Sequence, residues 1–215
     1  MRKSIVLTLA AFIMILVLAM AQRPATAASD SAVVQKSGVM WHAQSGSGAI
    51  DGARAKLLRT DHGISYLFQA RALKPGNVYT MWFVAVNDPS PCSAVPCPGP
   101  ELIGNSATAS DVIFGGASVL AGEDGAAVFK GSLPAGAWTN SWLGNGLISP
   151  YGAEIHLVLN DHGPAIPDIL DNMLHSYRGG CTDASLPPFF PATAFADGIP
   201  GPNTCRLYQV AVFQP

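Results

Sequence analysis

Charge is sparse in this sequence. Asp, Glu, Lys and Arg make up 12% of its 215 residues, and no block of like sign occurs. That excludes the basic stripe of a nucleic-acid-binding surface and the charged arms of interaction tails. No Gly-x-Ser-x-Gly elbow, His-Glu-x-x-His pair or glycine-rich phosphate loop occurs. The local signatures of serine hydrolases, zinc proteases and nucleotide enzymes are therefore missing, although triads built from distant residues stay open. Beyond residue 21 no apolar run is long enough for a membrane helix, so no span is expected after the leader.

The leader itself is plain. Arg2 and Lys3 open into an apolar run from Ile5 to Ala21, followed by Ala25-Thr26-Ala27. Positive charge, apolar core and small residues in that order predict an export signal over 1–27, cleaved after Ala27, and a single domain over 28–215. That domain carries nine basic and fourteen acidic side chains, a net charge of −5 with His neutral. The expected destination is the periplasm or the medium, where disulfides persist. Four cysteines can pair in three ways. Cys92 and Cys97 enclose four residues, while Cys181 and Cys205 flank one Pro-rich stretch. The pairs 92–97 and 181–205 are expected, in preference to a thiolate zinc site at Cys92 and Cys97.

Period-2 alternation dominates the rest. Ile64, Tyr66, Phe68 and Ala70 alternate with Ser65, Leu67, Gln69 and Arg71, and Lys74-Pro75-Gly76-Asn77 supplies a turn before Val78–Val86. The second segment is apolar on both faces, as a strand buried between layers is, and the two together read as a core hairpin. A second hairpin is expected from Ala117–Ala121 and Ala126–Lys130 across Gly122-Glu123-Asp124-Gly125. Further strands are expected near 39–42, at 154–160 and at 206–213. One short helix, 167–177, opens on Pro167 and stops at Gly179-Gly180. The fold class is all-β: a β-sandwich or a partly open Greek-key barrel, with one helix and long stapled loops.

Chemistry concentrates in Gly152–Pro164. In an extended chain Glu154, His156, Val158 and Asn160 share a face. A carboxylate and an imidazole two residues apart there, with His162 or His175 from the helix to close the set, are an expected zinc or copper ligand set. The simpler reading pairs Glu154 with His156 on a solvated face and makes Asp161-His162-Gly163-Pro164 a turn. Trp41-His42 is expected as a packed aromatic with a hydrogen-bonded neighbour. Trp138, Trp142, Phe189, Phe190 and Phe195 fall in loop-like stretches, either as satellite core or as a surface for a ligand or partner.

The Leu73–Phe83 segment, the Cys92–Cys97 loop, Gly152–Pro164 and Gly179-Gly180-Cys181 together resemble a group of exported bacterial proteins of unknown function. That resemblance implies export and a β fold and no reaction. The Glu154-Ile155-His156 strand is also similar to the His-bearing strand of CHRD domains and copper-zinc superoxide dismutases, with Glu at position 154 where a His-x-His pair would begin. The expected function is a non-enzymatic exported module that binds a small ligand or a protein through loops 87–110, 134–150 and 181–205. The alternative is a metalloprotein built on Glu154, His156 and His162.

Overall fold

Alternating apolar residues become strands, and eight of these join into one antiparallel sheet that curls until its ends meet. The computed structural model describes Ser31–Pro215; the expected leader, 1–27, lies outside the described residues. The strands are β1 Val33–Trp41, β2 Ala49–Thr60, β3 Gly63–Ala70, β4 Asn77–Val86, β5 Asp111–Leu120, β6 Ala127–Pro134, β7 Glu154–Pro164 and β8 Arg206–Phe213. Short helices α1 Gly99–Gly104, α2 Leu170–His175 and α3 Ala192–Ala196 lie in the connections. The sheet order β5-β4-β7-β8-β1-β2-β3-β6 brings β5 and β6, its two ends, against each other. Of the two expected architectures, the chain takes the nearly closed barrel.

Both expected hairpins are corrected. β3 pairs with β2 and β6, and β4 pairs with β5 and β7. The segments 71–76 and 121–126 are not hairpin turns but crossings of the seam, hydrogen-bonded to each other through Leu73 N–H to Gly125 O and Gly76 N–H to Ala121 O, both 2.9 Å. The physical reason lies in β4, which is buried along its whole length. A strand apolar on both faces needs cover on both, and flanking by β5 and β7 puts it under the loop layer.

Two glycines let the seam close. A Cβ at Gly131 on β6 would collide with the Gly115 carbonyl of β5 and with the Tyr66 ring. The Tyr66 hydroxyl crosses from β3 to donate to that same carbonyl at 2.6 Å.

The barrel interior is one apolar cluster: Ile64, Tyr66 and Phe68 from β3, Tyr79, Met81 and Phe83 from β4, Ile155, Leu157 and Leu159 from β7, with Phe129, Ala211 and Phe213. Arg59 closes one end. Its buried guanidinium donates to the carbonyls of Pro150 at 2.5 Å, Ala153 at 2.9 Å and Gln214 at 3.1 Å, and its Nε to Gln35 Oε1 at 2.8 Å. Burial pulls its pKa down to about 10, which leaves it charged at neutral pH.

A second apolar cluster covers the outside of β5, β4, β7 and β8. Trp82, Val84, Val86, Val112 and Val158 point outward from the strands and meet Leu102, Trp142, Tyr177, Leu186 and Ala194 from the loops. Both expected disulfides, Cys92–Cys97 and Cys181–Cys205, are formed within this layer. The expected helix is shortened: one 3-10 turn at Pro167–Ile169 precedes α2, which ends at His175 so that Tyr177 can turn inward and be buried.

Candidate functional site

Three loops converge over the outer face of β4, β7 and β8. Asp111 anchors the loop after β6, accepting from the backbone N–H of Leu143 at 2.9 Å and of Gly146 at 2.6 Å. Asn87 holds both neighbouring loops, donating to Ala109 O and Gly146 O and accepting from Ile148 N–H. The last loop docks through Thr193 Oγ1 onto Trp142 O at 3.1 Å and through the Cys181–Cys205 disulfide.

The loops do not seal the face completely. Between them and the strands lies a cavity of about 370 Å³, lined by Trp82, Val84, Val112, Val158, Leu207, Val210 and Val212 from the strands. Pro96, Leu102, Ile103, Trp142, Tyr177, Phe189 and Phe190 line it from the loops. The size suits a small organic ligand, and so does the predominantly apolar wall. His42, Gln44, Tyr177 and His156 bring the polar side-chain groups to it.

Glu154 and His156 form the built part of this site. The imidazole Nε2 stands 2.5 Å from Glu154 Oε1, and the carboxylate also accepts from Cys97 N–H at 2.8 Å and Gln214 Nε2 at 2.7 Å. Burial alone would push the Glu154 pKa up, but the bonds from His156, Cys97 and Gln214 outweigh it and hold the carboxyl below its ordinary value. Glu154 is completely buried and His156 nearly so. The expectation of a solvated face is therefore corrected: the loop layer, through Cys97, covers the pair.

His162 belongs to a different place. It lies six residues further along β7, roughly 20 Å at the rise of an extended strand, and the strand runs on to Pro164, so the expected turn is absent. Both ring nitrogens are engaged. Nδ1–H donates to Gly179 O at 2.8 Å, and Nε2 accepts from the Thr80 hydroxyl at 2.7 Å, whose oxygen accepts from Trp82 Nε1–H at 2.9 Å. Burial pulls the His162 pKa down to about 4, against smaller upward contributions from Gly179 and Asp161. His175 stands exposed on α2 with its Nδ1 against Asp171 O at 2.8 Å and its ring edge toward Phe114.

The proposed set Glu154, His156, His162 and His175 thus does not assemble as one ligand sphere. Among the described residues, the groups of three or more metal-type side chains are His162 with Cys181 and Cys205, and Glu101 with Cys92 and Cys97. Their sulfurs are spent in disulfides. Of the loop aromatics, Trp138 packs on Phe83 and its indole donates to Pro134 O, capping the barrel interior. Trp142 packs edge-to-face with Tyr177 and Phe190 lies tilted against the same Tyr177 ring in the cavity wall, while Phe189 remains 41% exposed beside them.

His42, expected only as a hydrogen-bonded neighbour of a packed Trp41, is also a cavity residue. Trp41 does pack, edge-on against Tyr208 at 5.0 Å, but the imidazole beside it lines the cavity. Burial lowers its pKa, and the neighbouring His156 lowers it further. Nothing local in the chain marks His42, because its neighbours come from β7 and β8.

Compared with protein-family models, curated proteins and solved structures, the chain has no match.

Proposed function

We propose that the protein is an exported binding module that holds a small apolar molecule in the cavity between the barrel and its stapled loops. The observation that carries this reading is the cavity itself: a space of about 370 Å³ walled by Trp, Tyr, Phe, Val and Leu side chains. A well-packed domain of this size leaves few voids larger than a water. Export is supported by the leader pattern of residues 1–27 and by two disulfides, which persist in oxidising compartments. The disulfides fit a binding role as well. Cys97 lines the cavity and anchors Glu154, and Cys181–Cys205 fixes the loop that contributes Phe189 and Phe190.

The experiment is a naphthalene titration of the disulfide-bonded protein, read by energy transfer from the tryptophan indoles, Trp82 and Trp142 in the wall being nearest the site. Saturable one-to-one binding is expected, and Val210→Trp, which fills the cavity from β8, is expected to weaken it at least about tenfold with the fold retained. Unsaturable partitioning, or binding that Val210→Trp leaves intact, contradicts the reading.

A further inference from the structure

The two imidazoles in the cavity wall differ in what their free nitrogens offer. A carboxylate only accepts, so the His156 Nε2 that faces Glu154 donates to it. In the neutral ring Nδ1 then carries a lone pair, and it has no partner among the described residues. His42 is the opposite tautomer. Its Nδ1 accepts from the Gln44 backbone N–H at 3.3 Å, which leaves the hydrogen on Nε2, also without a partner among the described residues.

Both rings line the same cavity, and no Lys, Arg, Asp or Glu lines it with them. The Gln44 side-chain oxygen is occupied by Leu207 N–H at 2.8 Å, so it does not compete for a ligand. A free donor, His42 Nε2–H, and a free acceptor, Nδ1 of the neutral His156 ring, therefore line the chamber together with the Tyr177 hydroxyl and the Gln44 amide NH2. A metal ion fits this arrangement poorly. Ligation through His42 Nε2 would force the hydrogen onto Nδ1, against the Gln44 N–H.

We infer that the ligand is a neutral apolar molecule bearing a hydroxyl, whose oxygen accepts from His42 Nε2–H and whose proton is donated to His156 Nδ1. A hydroxyl both donates and accepts at one atom, which a hydrocarbon, a carboxylate or an ammonium does not. Leaving the two ring nitrogens unmatched under a hydrocarbon costs affinity, since a desolvated polar group without a partner is unfavourable. The inference rests on the cavity being a ligand site.

The test compares naphthalene, 2-naphthol and 2-naphthoate at pH 7.5 on the disulfide-bonded protein. The expected result is that 2-naphthol binds at least about tenfold more tightly than naphthalene, the worth of two modest hydrogen bonds. 2-Naphthoate is expected to bind no better than naphthalene. His42→Phe removes the donor and leaves the Glu154–His156 pair intact; it is expected to cut the ratio of 2-naphthol to naphthalene affinity about fivefold. Equal affinity for naphthalene and 2-naphthol overturns the inference and leaves the cavity reading standing. Tightest binding of 2-naphthoate overturns it in favour of a charged imidazole pair that takes anions. Failure of all three probes overturns the inference together with the binding function. The wild-type ratio decides by itself should His42→Phe not fold.

Discussion

Lowering the pH from 7.5 to 4.5 removes stability through His162. In the unfolded chain its imidazole takes up a proton near the ordinary value of about 6.5. In the native protein the proton is refused until about pH 4, mainly because the ring is buried. A depressed native pKa means that the unfolded state binds more protons between these values. The contribution is therefore complete above about pH 6.5 and is lost as the pH falls toward about 4. Linking the two values gives a loss of about 2.5 kcal/mol between pH 7.5 and 4.5 from this group alone.

The assay is urea unfolding at both pH values, with disulfides intact, on the wild type and His162→Gln. At pH 7.5 the variant is expected to be less stable by about 2 kcal/mol, because the Thr80 hydroxyl and the Gly179 carbonyl lose their partner inside the protein. At pH 4.5 that gap is expected to close or reverse. Carboxylates that titrate in the same range act on both proteins alike and cancel in the comparison. Parallel pH profiles for the two proteins would refute the claim that His162 is held neutral.

Other parts of the framework make separate predictions. Replacing Cys181 and Cys205 by Ala frees a 24-residue span and is expected to cost about 3 kcal/mol by loop entropy, read as a lower melting temperature. Tyr66→Phe removes the bond across the seam to Gly115 and is expected to cost about 1 kcal/mol in urea unfolding. Gly131→Val forces β5 and β6 apart at the same point, with an expected cost of about 3 kcal/mol. Arg59→Met strips donors from the carbonyls at the closed end and is expected to cost about 3 kcal/mol. A loss below 1 kcal/mol there would mean that water replaces the guanidinium.

The local elements were legible because their causes are local. Alternation at Ile64–Ala70 and the double-faced apolar run at Val78–Val86 yield β3 and β4. The close spacing of Cys92 and Cys97, and the Pro-rich span between Cys181 and Cys205, pointed to the two disulfides that form. Glu154 and His156 bond as their two-residue spacing on one strand face suggested. Strand partners were not legible, since Lys74-Pro75-Gly76-Asn77 carries the same turn chemistry whether it closes a hairpin or crosses a seam. Burial over the barrel was equally hidden. Nothing near Glu154 announces that Cys97, 57 positions earlier, will cover it, and the apolar outer face of β7 at Val158 was the faint sign of a second layer. His42 reaches the site only because the chain turns at the end of β1 beside β8.

The most direct measurement on the central claim is an anomalous difference map from crystals soaked in 4-bromophenol. The account predicts a bromine peak inside the cavity among Val84, Leu102 and Val158, with the phenol oxygen between His42 and His156. A peak confined to the outer surface, or an empty cavity in crystals soaked to saturation, would contradict it.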